Sequence, residues 1–422
     1  MDFEAVEMAL RDRSLRLAAR LIQQRLNADH SDRQGSQLPC RCGHDARYVD
    51  RRGKTFTSVL GELELERAYY HCSACQQGFC PRDRALKLEG FALSPGALRM
   101  TGAAASLVSF EEGSQLLKEL AGISVNAKMV ERAAEALGAE IAADERQDLQ
   151  PAATPIPATL ILGMDGTGIP MRRTELEGRA GKQPDGSART REVKLCSVWS
   201  AESRDAKGIP VRDEGSVSYT AAIESAASLD TDPNRSEFAE RVLREATRRN
   251  FFEADRQVVL GDGAPFIWNI ATELFPRAIQ IVDRYHVKGH LIDVGKALFG
   301  ATSEEGKLWR KQRCDELDDG KLDALLEELR HHAATCEDAR KCADYIARNR
   351  DRMRYPEFHA QGLCTSTGVL EAGCKVAIGT RLKRAGMHWT VRGANAIIAL
   401  RCCRLSGRFE DFWERRAQRM AA

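Results

Sequence analysis

Three acidic residues are the part of this sequence best suited to act together in chemistry. Asp165 and Asp262 each directly follow a short apolar run, whereas Glu371 lies in a helix-like stretch much later in the chain. Carboxylate oxygens are the ligands that Mg²⁺ and Mn²⁺ prefer. Two such ions can stabilise both the attacking and the leaving oxygen of a phosphoryl transfer. The pattern therefore predicts that Asp165, Asp262 and Glu371 bind two ions and catalyse phosphoryl transfer on nucleic acid.

Other residues compete for these roles, because a single aspartate at a strand end is also common in ordinary turns. Asp283 also ends a strand-like run and is the rival of Asp262. We place Asp283 and His286 beside the site, where they would orient the substrate or hydrogen-bond to the ligands. The rivals of Glu371 are Glu357, Glu410 and Glu414.

The spacing of His286 and His290 is that of a zinc protease helix, since they are four residues apart. The glutamate of a His-Glu-x-x-His motif is absent, however, which argues against that class of enzyme.

Basic residues are concentrated beyond the proposed glutamate. From residue 372 to the end, eleven Lys and Arg stand against three acidic residues, a local excess of eight positive charges. Lys375, Arg381, Lys383 and Arg384 follow Glu371 most closely, and we expect them to contact DNA phosphates. The alternative is a solvated helix face without a partner.

The alternation of apolar runs and helical periodicity indicates an α/β domain around these residues. The predicted strands cover 158–164, 192–199, 215–222, 257–262 and 278–283, and the predicted helices cover 235–249, 265–275 and 287–299. The loop 172–191 is rich in Gly, Lys and Arg. Residues 302–360 are charged and helical in pattern, so we interpret them as a helical insertion that separates Asp262 from Glu371.

Two cysteine pairs lie nearer the start of the chain. Cys40 and Cys42 precede a predicted β-hairpin, and Cys72 and Cys75 follow it. Four thiolates from two turns are typical of a closed structural zinc site in a zinc-ribbon-like β module. The first pair is one residue shorter than usual, which leaves His44 and Cys80 open as alternative ligands.

The remaining segments give a domain plan. An amphipathic helix is predicted in 1–37, the zinc-ribbon-like module in 38–82 and a helical region in 83–149. That region has three predicted helices, with Ser124 as the N-cap of the last, and it resembles a helix-turn-helix; DNA binding and plain packing of a small helical bundle are both open. Residues 150–158 form a proline-rich linker. The α/β domain then occupies 159–422.

Composition limits the class of protein. The 422 residues are 43% hydrophobic and 29% charged, as in ordinary globular proteins, and no apolar run reaches the length of a membrane span. The acidic and arginine-rich first thirty residues do not resemble a signal peptide. We therefore expect a cytoplasmic protein without a membrane partner, associated with the nucleoid when bound to DNA.

The motifs around these residues resemble those of bacterial insertion-sequence transposases of the ISKra type, within the larger group that has an Asp-Asp-Glu site. The matching stretches are GMDGT at 163–167, LGDGA at 260–264, IVDRYHV at 281–287, GVLEAGCK at 368–375, RLKRAGMHW at 381–389, and RAYYHC at 67–72 together with Cys75. The resemblance implies a ribonuclease-H-like core with a mixed sheet and a helical insertion. In such a core the first and fourth strands lie side by side, and Asp165, Asp262 and Glu371 hold Mg²⁺.

The predicted function is metal-dependent cleavage and strand transfer at the ends of an insertion sequence, carried out by a homo-oligomer on double-stranded DNA. Two alternatives share these features: a non-catalytic DNA-binding regulator derived from a transposase, and a nuclease or resolvase without strand transfer. An RNA-binding protein is a weaker alternative, because aromatic residues make up only 6% of the chain.

Overall fold

The computed structural model describes residues 2–147, 151, 155–181, 183, 186–206, 208–226 and 235–419. The chain divides into two compact units, one formed by Met1–Ala142 with Arg408–Ala422 and the other by Ala143–Gly407. Together they contain mixed sheets and many helices, so the α/β class is confirmed. None of the helices that the structure describes is long and apolar enough to cross a membrane.

The first unit opens with helix α1, Phe3–Ala28, and a four-stranded antiparallel sheet. The strands, which pair in sequence order, are β1 (Gln37–Pro39), β2 (Asp45–Ser58), β3 (Gly61–Cys72) and β4 (Gln77–Phe79). Ala19 of α1 packs with Phe56 and Leu65 in a small apolar core. The buried carboxylate of Asp32 accepts a hydrogen bond from the Ala68 amide at 2.7 Å. This bond attaches the segment after α1 to the sheet.

Short helices complete the first unit. They are α2 (Pro81–Ala85), α3 (Pro95–Leu107), α4 (Phe110–Ala121), α5 (Ala127–Gln147, whose last residues belong to the second unit) and α16 (Phe409–Arg419). The predicted N-cap Ser124 is wrong, because the side chain of Asn126 accepts the hydrogen bond from the Met129 amide instead, at 2.9 Å. Gly122 supplies the left-handed turn between α4 and α5.

The second unit is built on a five-stranded mixed sheet. Its strands are β5 (Thr159–Pro170), β6 (Thr190–Ser200), β7 (Ser218–Ala222), β8 (Arg256–Gly261) and β9 (Ile279–Val282). Their order is β7-β6-β5-β8-β9, in which β5, β6 and β7 pair antiparallel and β5, β8 and β9 pair parallel. The strands lie close to where the sequence predicts them. The parallel members are buried on both faces, which explains their continuous apolar runs.

Helices surround this sheet. They are α6 (Glu237–Arg248), α7 (Pro265–Leu274), α8 (Arg284–Phe299), α9 (Glu304–Asp318), α10 (Leu322–His332), α11 (Glu337–Asn349), α12 (Tyr355–Ala360), α13 (Gly368–Gly373), α14 (Thr380–Leu382) and α15 (Val391–Leu405). Within 302–360 the regular elements are helices, as the sequence indicates. A π-helical turn, Cys374–Gly379, continues α13 into α14.

The two compact units do not coincide with the predicted domain plan. The sequence assigns 159–422 to one domain, whereas α16 groups with the first unit. The reason is local contact within that unit: the Arg416 guanidinium pairs with Glu140 of α5 at 2.9 Å, and Arg99 of α3 pairs with Glu410. The predicted linker 150–158 lies partly outside the described residues, so its boundaries stay a prediction.

Helix α13 crosses the sheet at a glycine of β5. A Cβ added to Gly163 would lie 2.6 Å from Cδ2 of Leu370, which is far closer than van der Waals contact. Leu370 is itself buried against this position. Gly373, further along the helix, has the same kind of close approach to Tyr219, at 2.9 Å. Two glycines therefore let α13 lie directly on the sheet.

We expect Gly163→Ala to lower the free energy of unfolding by about 1–3 kcal/mol, because the new methyl group must displace Leu370. The measurement is urea denaturation followed by tryptophan fluorescence, since four of the five tryptophans lie in the second unit. Adding Leu370→Ala should relieve the clash, so the two substitutions together should destabilise less than the sum of their single effects. Gly289→Ala is the control, because its Cβ would meet no atom within 4 Å. Strict additivity would contradict the close contact.

Candidate active site and candidate metal centre

Asp165 and Asp262 lie at equivalent positions on adjacent parallel strands. Gly163 of β5 pairs with Leu260 of β8, and each aspartate comes two residues after its paired residue. Side chains two residues apart on a strand point to the same face of the sheet. The two carboxylates are therefore carried to the same side and the same level of the sheet, where the charge of Asp262 helps to raise the pKa of Asp165.

Asp165 is held by two donors. The Gly166 amide donates to Oδ1 at 2.6 Å, and the buried Cys374 thiol donates to Oδ2 at 3.2 Å. Desolvation raises the pKa of Asp165, although these two hydrogen bonds oppose the shift; the nearby Asp262 carboxylate raises the pKa further and His286 lowers it. The pKa of Cys374 is also raised, by burial and by the Asp165 carboxylate. Negative charge is thus concentrated where a cation would stabilise it.

Asp262 opens a tight turn into α7. Its Oδ1 accepts a hydrogen bond from the Ala264 amide at 3.0 Å, and its main-chain oxygen accepts one from the Tyr345 hydroxyl at 2.6 Å. Gly263 has φ of +93°, and a Cβ there would lie 2.5 Å from the Tyr345 oxygen. Only glycine therefore satisfies both the backbone angle and the space. Tyr345 belongs to α11, so the helical insertion directly supports the turn that carries Asp262.

A cleft of about 550 Å³ opens beside Asp262. The residues that line it are Asp262, Gly263, Ala264, Pro265, Trp268, Asn269, His286, Tyr345, Arg348, Asn349 and Arg352. The Arg352 guanidinium lies over the Trp268 ring, 4.6 Å from its centroid. The cleft therefore combines one carboxylate with aromatic surface and two arginines.

His286, predicted to neighbour the acids, lies on the first turn of α8 and is exposed. Its ring makes an edge contact with that of His290, with the centroids 4.7 Å apart, and His290 lies 4.8 Å from the Tyr345 ring. Burial lowers the pKa of His290, and the neighbouring His286 lowers it further. Of these three rings, that of His286 is the one whose charge lowers the pKa of Asp165.

Asp283 joins two segments that are far apart in sequence. Its Oδ1 accepts from the His286 amide at 2.6 Å and caps α8, while its Oδ2 accepts from both the amide and the hydroxyl of Thr367, just before α13. The side chain is 2% exposed. Both oxygens of Asp283 thus accept hydrogen bonds within the protein. This favours a positioning role for Asp283 and disfavours the role of a metal ligand in place of Asp262.

Glu371 lies on α13, exposed to solvent. It precedes Cys374 by three residues, so the two share one side of the helix, and Cys374 reaches Asp165. Among the residues that the structure describes, Asp165, Asp262 and Glu371 do not form a group with all ligand atoms within 4.8 Å of one another. The structure therefore brings the two aspartates together and leaves Glu371 beside them. Its role as the third ligand stays a prediction.

The rivals of Glu371 have other partners. Glu357 pairs with Arg354 on α12 at 2.9 Å, and Glu410 pairs with Arg99 in the first unit. Glu414 also lies on α16, in that unit. None of these contacts involves either aspartate.

The predicted DNA contacts separate into two kinds. Lys375 and Lys383 are exposed, and the Lys383 ammonium donates to the hydroxyl of Thr167, two residues after Asp165. Arg384 is half-buried. Arg381 differs from the predicted DNA contact, because its side chain is fully buried. The turn after α14 folds back over it and places its guanidinium 5.3 Å from the centroid of the Trp389 ring. Its position is that of a packing residue.

A cleft of about 1260 Å³ at the β5–β6 connection contains basic residues that the sequence analysis left unassigned. Arg172, Arg173, Arg179 and Arg189 line it and are all exposed, and Glu177 is the acidic residue among the described residues of its lining. Burial lowers the pKa of the adjacent Arg191, and the positive charge of Arg179 lowers it further. Four arginines within eighteen residues of a basic loop were the signal that could have identified this surface.

The four cysteines of the first unit form one compact group, with all ligand atoms within 4.8 Å. The Sγ atoms of Cys40 and Cys75 are 3.6 Å apart, as are those of Cys42 and Cys72. Four sulfurs around zinc, each at about 2.3 Å, are separated by about 3.8 Å. The group could therefore hold a structural metal, and the short Cys40-x-Cys42 pair is no obstacle. Neither His44 nor Cys80 belongs to it.

The turns that carry these cysteines also influence the pKa of their thiols. Gly43, with φ of +85°, lets the chain turn so that the Cys40 amide donates to the His44 oxygen at 2.7 Å. The Cys75 amide donates to the Cys72 sulfur and is the largest of several causes that lower the pKa of Cys72 to about 7, although desolvation opposes them; the pKa of Cys42 and that of Cys75 are instead raised by desolvation and by neighbouring thiols. A metal ligand must be a thiolate, so this amide favours binding. Zinc itself stays a prediction.

We expect the purified chain to contain about one zinc ion, measured by elemental analysis, because all four tetrahedral positions are filled by protein. Cys42→Ser and Cys72→Ser should each release the metal and lower the melting temperature of the first unit. Cys80→Ser is the matched control, since this buried thiol lies outside the group. A stable chain without metal, or equal loss of metal in the control, would rule out the centre.

Comparisons with known proteins give limited guidance. Residues 236–419 match the model of an uncharacterised protein family, UPF0236. The comparison with curated proteins gives no match. Among solved structures, the chain is similar to a Drosophila P element transposase strand transfer complex, with 11% identity over 75% of this chain and 80% of that chain, at a TM-score of 0.26. A score this low supports no conclusion about the chain.

Proposed function

We propose that this chain is a DNA transposase that cuts and joins DNA strands at the ends of an insertion sequence by metal-dependent phosphoryl transfer. The observation that carries the proposal is the equivalent placement of Asp165 and Asp262 on adjacent parallel strands. Neighbouring first and fourth strands are what a ribonuclease-H-like core requires, and in this sheet β5 lies beside β8. The sequence motifs that resemble ISKra-type transposases surround the same residues.

Asp165 and Asp262, with Glu371 as the third ligand, would hold Mg²⁺ or Mn²⁺. Their oxygen donors suit these hard cations, and the pKa of Asp165 is raised by desolvation first and by the Asp262 carboxylate second, both of which a bound cation would offset. When bound, divalent ions activate the attacking hydroxyl group and stabilise the leaving oxygen. The protein's part is to hold the acids in place: Cys374 orients Asp165, Tyr345 and Gly263 fix the turn at Asp262, and Asp283 attaches the helix that carries Glu371.

Basic residues give a path for the DNA backbone away from the acids. Lys383 reaches Thr167, and further along β5 the strand ends at the arginine cleft. The seven residue steps from Asp165 to Arg172 span roughly 23 Å of extended chain, or about seven nucleotide steps along one DNA strand. A strand held in the cleft could therefore reach the acids.

We expect Asp165→Ala, Asp262→Ala and Glu371→Ala each to reduce Mn²⁺- or Mg²⁺-dependent cleavage by at least about a thousandfold, because each removes a ligand needed in the transition state. The substrate is a plasmid that carries the DNA flanking this gene. The products should be nicks at the element ends with free 3′-hydroxyls, followed by strand transfer. Glu357→Ala is the control, because Glu357 is committed to Arg354.

Each other outcome has a defined meaning. Cleavage that survives Glu371→Ala alone would assign the third ligand to another residue. Cleavage without joined products would indicate a nuclease. Binding to the ends without cleavage by the wild-type chain would overturn the enzyme in favour of a DNA-binding regulator.

The arginine cleft should contribute to DNA affinity through counterion release. Replacing Arg172, Arg173, Arg179 and Arg189 together by alanine should weaken binding and reduce the slope of log K against log salt by at least about 2, since each phosphate contact contributes about 0.9. Fluorescence anisotropy over a series of salt concentrations measures this. Arg340→Ala, an exposed arginine paired with Glu337 and Asp344, is the control. An unchanged slope would show that the DNA passes elsewhere.

A further inference from the structure

Helix α1 has an exposed apolar stripe. Phe3, Leu10, Leu17 and Leu21 are 79%, 56%, 60% and 58% exposed, and the half-buried Val6 lies between the first two. Spacings of seven, seven and four residues place them on one face of the helix. Large apolar side chains aligned in this way on a soluble surface are typical of a surface that binds a partner.

The other side of α1 already has its contacts. Ala19 packs into the small core of the first unit. Gln23 accepts from the Glu64 amide at 2.9 Å, and the side-chain amide of Asn27 bonds to the main chain of Glu64 and Glu66, also at 2.9 Å. At 100° per residue, Ala19 and Asn27 lie well away from the stripe. A partner could therefore cover the stripe without disturbing the attachment of α1 to β3.

Charge is divided along the helix. Its first half and the preceding residue contain Asp2, Glu4, Glu7 and Asp12 beside Arg13, with Arg11 as a second exception, and the second half contains Arg16, Arg20 and Arg25. The guanidinium of Arg11 donates to the Leu120 oxygen at 2.5 Å, so this exception is turned toward α4. The helix is thus acidic at one end and basic at the other.

We propose that the stripe on α1 binds the same stripe of a second copy of this chain, with the two helices antiparallel. When the symmetry axis lies between residues 13 and 14, Leu10 comes level with Leu17 of the partner subunit, and Val6 comes level with its Leu21. In this orientation the acidic half of each helix faces the basic half of the other. A parallel arrangement would instead place like charges together, which disfavours it. A symmetric pair of this kind requires that the surface complement itself, as this one does.

The length of the helix suits a dimer of moderate affinity. Its 26 residues extend about 39 Å. Stable interfaces usually bury about 800 Å² per partner, so residues beside the stripe must contribute to the contact as well. Leu120, 70% exposed and next to Arg11, adds apolar surface beside the first half of the helix. The dimer should therefore form at micromolar concentration and need no DNA.

The test is the mass of the full chain in solution, measured by light scattering and sedimentation without DNA or added divalent metal. We expect a dimer for the wild type. Leu10→Glu with Leu17→Glu should raise its dissociation constant at least about thirtyfold, because two charges would enter the centre of the interface. Both positions are exposed in the single chain, so its fold should not change, which far-UV circular dichroism measures. Met8→Glu is the matched control, since Met8 is 50% exposed on the same helix but outside the stripe.

Salt dependence tests the orientation. An antiparallel pair should bind more tightly at low salt, because opposite charges face each other, whereas a parallel pair should bind less tightly. A monomeric wild-type chain, a dimer that survives the double leucine substitution, or one that Met8→Glu disrupts equally would each overturn the proposal. Because neither cleavage nor DNA enters the measurement, its result is independent of the proposed transposase activity.

Discussion

The hydrogen bonds of one buried carboxylate hold the second unit together at its candidate site. Asp283 ends β9, caps α8 with one oxygen and binds Thr367 with the other. Between the two lies the whole helical insertion, so the chain leaves the sheet and returns to it at the same side chain. Without these bonds the start of α13 would lose two of the hydrogen bonds that fix it, beside the one from the Arg284 amide to the Thr365 oxygen at 3.0 Å. A shift of α13 would change the contact of Leu370 with Gly163 and that of Cys374 with Asp165.

The site itself is a compromise between attraction and repulsion. Parallel pairing of β5 and β8 brings two carboxylates to the same level in a partly desolvated region, which is electrostatically unfavourable by itself. Donors from Gly166, Cys374 and Ala264 offset part of this cost. Such strain on paired acids is common at functional sites and uncommon in ordinary turns. For this physical reason we treat these aspartates as candidate functional residues and not as turn residues alone.

The sequence predicts much of this arrangement because its signals are local. Apolar runs give the strands, the acids at their ends follow directly, and two cysteine pairs around a hairpin give the compact sulfur group. Other features depend on contacts distant in sequence. Nothing near Arg381 indicates that Trp389 covers it, and the exposure of Glu371 depends on how α13 lies on Gly163. The N-cap at Asn126 was missed because Ser124 is an equally good local candidate.

The hydroxyl of Tyr345 bears on which parts of the chain could change in length during evolution. The Tyr345 hydroxyl belongs to the helical insertion and donates a hydrogen bond to the main chain at Asp262. Gly263 has a positive φ and no Cβ, which leaves room for this hydroxyl. Helix α11 therefore supports the turn, and shortening or shifting this helix would move Asp262. Homologues should accordingly keep the length of α11 and a hydroxyl-bearing aromatic residue at position 345.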